Sequence, residues 1–174
     1  MFLSTAALVA CGGRGLVAPA LPGSALAGEA GPFLELDAET LAADSLDPAE
    51  LRAVLNGAGF AGASQRVWID AEQERRALVR ALAFDTPAGA DVYLGWLRAH
   101  TFDVIGEAEE LAPLAVPSPS FLTVHEPGGC CPKEGRIFLT AWREGTVVLS
   151  LEVGGRNVGR RDAQEFASAL DAAV

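Results

Sequence analysis

Residues 66–84 read RVWIDAEQERRALVRALAF, and this stretch decides the fold class. RVWID (66–70) and RALVRALAF (76–84) are two apolar-rich runs with β-branched and aromatic residues, joined by the polar AEQE. Such a pair predicts a β-hairpin. The next residues, TPAGADVYLGWLRAH, switch to helical spacing. Thr86 is placed to cap, Pro87 suits the first helical position, and Ala90, Tyr93, Leu94 and Leu97 form one stripe. Upstream, DPAELRAVLNGAGF predicts another helix. There Asp47 caps, Glu50 completes a capping-box spacing, Leu51, Val54 and Leu55 share a face, and Gly57 or Gly59 ends the run.

The same order recurs downstream. FLTVH (121–125) reads as a strand, and RIFLTAW (136–142) with TVVLSLEV (146–153) as a hairpin over REG. DAQEFASALDAAV closes as a helix, with Asp162 and Glu165 in capping-box spacing and Phe166 and Leu170 inward. A shift of 74 residues sets Trp68 on Trp142, Asp70 on Glu144, Val79 on Val153, Val92 on Phe166 and Trp96 on Leu170. Two strand-strand-helix repeats are one explanation, and reuse of a common motif is the other. Both predict an α+β fold: an antiparallel β-sheet with about three helices packed on one or both faces. The stretch from Gly106 to Ser120 is a connection whose prolines forbid a long helix.

The chain has 174 residues, enough for one domain and a sizeable core without cross-links. Its formal net charge is −10, which disfavours nucleic acid and anionic lipid as electrostatic partners. Residues 2–10, FLSTAALVA, are too short an apolar run to cross a bilayer, which takes about 20 residues, but match a signal-peptide core in length. The next residue is Cys11. Leu8-Val9-Ala10-Cys11 resembles the lipobox of bacterial lipoproteins, in which a peptidase cuts before the cysteine and the thiol carries a diacylglycerol thioether. Met1 is followed directly by Phe2 rather than by the usual basic residues. Either translation starts upstream of Met1 or the segment is not a working signal.

The resemblance implies residues 1–10 as signal peptide. It implies Cys11 as the lipidation site and the outer face of the cell membrane as the address. Residues 11–32, rich in Gly, Ala and Pro, then read as a lipid-anchored flexible linker, and residues 33–174 as a single α+β domain. In order of elements the domain also resembles small actinobacterial lipoprotein domains with a Mog1/PsbP-like sheet, which implies nothing about chemistry.

Candidate sites are few. HEPGGCCPKEG (125–135) holds two of the three cysteines. With Cys11 acylated and thiols exposed to an oxidising compartment, Cys130 and Cys131 are candidates for a vicinal disulfide. His125 with Cys130 and Cys131 is the soft-metal alternative, Glu126 or His100 being the fourth group, although adjacent thiolates suit tetrahedral coordination poorly. Two free thiols, or an intermolecular bond, remain open. Trp68, Trp96 and Trp142 are candidates to line a ligand groove, or else core residues. His100 falls near a helix C-terminus, where the dipole favours it. No hydrolase, zincin or P-loop pattern occurs. Ser118, Ser120 and His125 lie close in sequence but across a strand. Glu107, Glu109 and Glu110 read as a solvated connection rather than an acid-base pair or a calcium site. The expected catalytic set is therefore none, and no cofactor is called for.

The resulting expectation is a non-enzymatic, lipid-anchored, extracytoplasmic binding or interaction domain of the cell envelope. Its partners would be the membrane through the anchor and an envelope component, a protein or a small apolar ligand, not nucleic acid. The first alternative is a redox-active or soft-metal-binding lipoprotein using Cys130, Cys131 and His125. The second is an envelope enzyme with unidentified catalytic residues.

Overall fold

The structure is a computed structural model that describes residues 18–126 and 135–173. The predicted first hairpin is present and longer than the apolar run alone indicates: β3 (Phe60–Asp70) and β4 (Arg75–Phe84) pair from Phe60↔Phe84 to Asp70↔Arg75. The second hairpin is β7 (Arg136–Glu144) with β8 (Val147–Gly155). Its two-residue turn is Gly145-Thr146, and only Gly145, at φ 59°, carries a positive φ. That is the type II′ pattern, whose twist matches the flanking strands.

The two hairpins meet at the centre of the sheet, where β4 and β8 pair antiparallel from Arg75↔Gly155 to Ala83↔Val147. β6 (Ser120–His125) and the short β5 (Glu109–Leu111) extend the β7 side. β1 (Glu29–Ala30) and β2 (Leu34–Leu36) both pair with the outer edge of β3. The result is an eight-stranded antiparallel sheet in the order β1-β3-β4-β8-β7-β6-β5, with β2 beside β3.

Five helices cover the sheet: α1 (Ala38–Ala43), α2 (Pro48–Gly57), α3 (Pro87–Ala99), α4 (Thr101–Ile105) and α5 (Arg160–Asp171). The caps follow the sequence closely at two of them. The Asp47 carboxylate accepts from the Glu50 N–H at 2.9 Å, and the Thr86 hydroxyl accepts from the Gly89 N–H at 3.1 Å. Gly89 must be glycine for a packing reason: a Cβ there would lie 1.9 Å from the Ala58 carbonyl oxygen, where α3 starts against the end of α2. At α5 the expected start moves. Gly159 is the N-cap, and Asp162, expected to cap, sits one turn in and accepts from the Gly159 N–H at 2.8 Å.

Both faces of the sheet are covered, by different elements. α5 packs Ala163, Phe166, Ala167 and Leu170 onto one face, over Trp68, Val79, Trp142 and Leu151. The other face lies under the first four helices, with Leu55, Tyr93 and Leu97 over Leu82, Leu139 and Val148. The strand-strand-helix order thus occurs twice, as β3-β4-α3 and β7-β8-α5, but the two helices lie on opposite faces. The turns also differ. Asp70↔Arg75 closes four residues and Glu144↔Val147 closes two, so a constant shift of 74 cannot align both strands of the hairpins.

The flexible linker expected through residue 32 does not extend that far. From residue 18 the chain is packed along the α5 face, with Leu21 and Leu26 in the core. The Ser64 hydroxyl donates to the Pro19 carbonyl at 2.7 Å, and the Trp68 indole N–H donates to the Gly23 carbonyl at 2.9 Å. Two buried leucines and two side-chain donors order a segment whose composition reads as loose. Residues 1–17, with the expected signal segment and Cys11, lie outside the described residues.

Candidate functional site

Strand alternation gives the helix-covered face one polar row. Gln65, Arg80 and Ser150 stand directly opposite one another across β3, β4 and β8, and Glu152 follows Ser150 on the same face. Neighbouring positions on that face are apolar: Leu78, Leu82, Leu139 and Val148. A polar row under helices would ordinarily be desolvated at a cost. Here the helices leave space above it.

That space is a cavity of about 140 Å³. Its walls come from α1 and the turn after it (Leu41, Asp44, Ser45), from α3 (Tyr93, Trp96, Leu97) and from α4 (Asp103, Val104), over Arg80 and Glu152. An adjoining recess of about 20 Å³ is lined by Ser150, Arg80, Tyr93 and Glu152. A recess of that size holds about one water molecule.

Each polar group has a defined state. The Arg80 Nε–H donates to Gln65 Oε1 at 2.7 Å, while its nearest carboxylate contact, to Asp44, is 3.9 Å. Its terminal nitrogens are thus only loosely engaged. Glu152 is held by Arg76 at 2.9 Å. Burial pushes the Tyr93 phenol up to about 12, against a smaller opposing effect of the Arg80 charge, so the hydroxyl stays a neutral donor. Five polar residues are buried in the described chain. Ser64, Thr101, Thr123 and Thr140 each donate to a backbone carbonyl, but Ser150 bonds to no described residue. Ser150 and Tyr93, 8% and 5% exposed, both line the recess.

Trp96 is clamped in place. Its ring stacks between Tyr93 and His100, with centroids 6.0 and 4.6 Å away, and its indole N–H donates to Glu50 Oε1 at 3.1 Å. His100 ends α3, where Nδ1 donates to the Trp96 carbonyl at 2.9 Å and Nε2 lies 3.2 Å from Glu50 Oε1. Glu50 thus ties α2 to α3 instead of closing a capping box on Asp47, whose N–H donates to Ser45 Oγ.

The three tryptophans do not share a groove. Trp68 and Trp142 are buried in the α5-side core, and only Trp96 reaches the cavity, on the opposite face. Cys130 and Cys131 lie outside the described residues. His125 ends β6 and its Nδ1 donates to the Glu107 carbonyl at 2.7 Å. Among the described residues, no three His, Cys, Asp or Glu side chains come together as a metal-holding group. His100 is engaged with Glu50 and Trp96. Ser120 and His125 occupy opposite ends of β6, about 17 Å apart at strand rise, so they do not form a hydrogen-bonded pair. Glu109 and Glu110 sit in β5 facing opposite ways, and Glu110 pairs with Arg98. Arg80, Ser150 and Glu152 were missed as site residues because alternation in RALVRALAF and VVLSLEV marks them as solvent-facing.

No family model matches the chain, and no curated protein matches it in sequence. Among solved structures the chain is similar to the extracellular domain of PknH from Mycobacterium tuberculosis, with a TM-score of 0.56 over 83% of each chain and 12% sequence identity. At that identity the likeness is one of fold.

Proposed function

We propose that this chain is an extracytoplasmic, non-enzymatic binding domain, held at the outer face of the cell membrane by a lipid on Cys11. The binding half rests on one observation: a cavity roofed by α1–α4, with Tyr93 in its wall and Ser150 in the adjoining recess, whose hydroxyls bond to no described residue. A ligand or water entering there would satisfy those hydroxyls. The polar lining of cavity and recess is Arg80, the neutral Tyr93 phenol, Ser45 and Ser150 with the carboxylates of Asp44, Asp103 and Glu152, a set able to recognise a polar ligand.

The address rests on Leu8-Val9-Ala10-Cys11 and is supported by the likeness to an extracellular domain. It also agrees with the resemblance to small actinobacterial lipoproteins. A diacyl anchor makes attachment stable, because each buried methylene contributes about 0.8 kcal/mol. Replacing Cys11 with serine in the native host tests this. The protein should leave the membrane fraction, and the unmodified protein should be digested by protease added to whole cells. A parent protein that is protected in whole cells and cytosolic on fractionation overturns the address.

A further inference from the structure

We infer that the cavity takes a small neutral polyol, a molecule with hydroxyls on adjacent carbons and no charge. This deepens the binding reading above and rests on it. The observation that carries it is the gap between Arg80 and Asp44. Both line the cavity, and Arg80 Nη2 stands 3.9 Å from Asp44 Oδ2, too far for a hydrogen bond. The Arg80 Nε–H is already given to Gln65, and the terminal nitrogens have no acceptor at hydrogen-bond distance among the described residues. A hydroxyl oxygen about 2.8 Å from each atom closes the gap, accepting from Arg80 and donating to Asp44.

Charges of both signs are interleaved through the rest of the lining. Asp103 stands in the wall, and Glu152, held by Arg76 at 2.9 Å, lines both the cavity and the recess beside Arg80. An anion meets the carboxylates, and a cation meets Arg80. An apolar molecule leaves the Arg80 terminal nitrogens without an acceptor. A row of hydroxyls, each both donor and acceptor, matches donors and acceptors placed side by side. Its C–H groups face Leu41, Leu51, Leu97 and Val104. The size agrees: an engineered cavity of about 150 Å³ holds benzene, so a space of about 140 Å³ suits roughly six to eight non-hydrogen atoms, those of a short polyol. The Asp44 side chain is 69% exposed, so the cavity opens to solvent at the gap.

The test is a titration of the full chain with erythritol, followed by nuclear magnetic resonance of the tryptophan indole N–H groups. Trp96 lines the cavity, while Trp68 and Trp142 lie in the core on the other face and serve as internal references. The Trp96 resonance, assigned with Trp96→Phe, should shift saturably and the other two should not. Asp44→Ala should weaken erythritol binding about fivefold, and Asp44→Asn, which keeps an acceptor, by less. Asp44 follows the last turn of α1 at an exposed position, so both variants should keep the fold. Butyrate and butylammonium, charged probes of the same chain length, should each bind at least about tenfold more weakly than erythritol. Erythritol binding unaffected by Asp44→Ala overturns the assignment, and so does either charged probe binding as tightly as erythritol. In both cases a saturable Trp96 shift still upholds a binding cavity, and only the ligand class falls. If no probe moves the Trp96 resonance, water alone closes the gap, and the binding reading falls with the ligand class.

Discussion

Replacing Leu21 with alanine tests whether the segment before residue 33 belongs to the fold. Leu21 is 1% exposed and packs in the core beneath α5. The change removes three carbons, worth about 2.4 kcal/mol at about 0.8 kcal/mol each. A cavity term adds to this, and buried Leu→Ala changes span about 2–5 kcal/mol. The segment is tied down by the Ser64–Pro19 and Trp68–Gly23 hydrogen bonds and by the two residues of β1. It can therefore collapse part of the way, and the expected loss is about 3 kcal/mol. In urea, with an m-value of about 2 kcal/mol/M, the midpoint falls by about 1.5 M at unchanged m. Leu46→Ala is the control, since Leu46 is 73% exposed and should cost less than about 0.5 kcal/mol. If Leu21→Ala costs no more than this control, residues 18–32 are not part of the folded unit.

Two further outcomes follow from titratable groups. The chain has a single tyrosine, so alkaline absorbance reports Tyr93 alone. The phenolate should form near pH 12 in the native protein and near 10 after unfolding. Because the folded value is the higher one, this contribution to stability is complete below about pH 10 and disappears as pH approaches 12. A native midpoint at the ordinary value would mean that the hydroxyl is solvated. The second concerns Arg75, which bridges Asp70 and Asp162 at 2.9 Å each and so joins the first hairpin to the start of α5. The Arg75 hydrogen bond, helped by the Gln73 N–H, holds the Asp70 carboxyl below its usual range. That contribution is present above the ordinary carboxylate value of about 4 and is lost as pH falls below it. Arg75→Leu should lower stability at pH 7 and flatten its fall between pH 5 and 2. Equal slopes would remove Arg75 as the cause.

The sheet was legible because its signals are local. Period-two runs, the AEQE turn and the Thr86-Pro87 and Asp47-Pro48 starts each act within a few residues. The inward stripe Ala90, Tyr93, Leu94 and Leu97 is buried as read. What was not legible depends on the layer above. Composition alone does not reveal that Leu21 and Leu26 find a face left open by α5, or that β1, β2 and β5 add as short edge strands. The site illustrates the same limit. Arg80, Ser150 and Glu152 occupy alternate positions that look solvent-facing on any strand, and only the approach of four helices from another part of the chain makes them line a cavity. Trp68 and Trp142, conspicuous in sequence, are core. Tyr93, read as one core residue among several, also lines the cavity.

The account depends most on the outer membrane face as the domain's location. Intact mass spectrometry of the protein purified from its native host tests this directly. The predicted mass is that of a chain cut before Cys11 and carrying a thioether-linked diacylglyceryl group. A mass in which Cys11 is unmodified and still joined to Ala10 would contradict it.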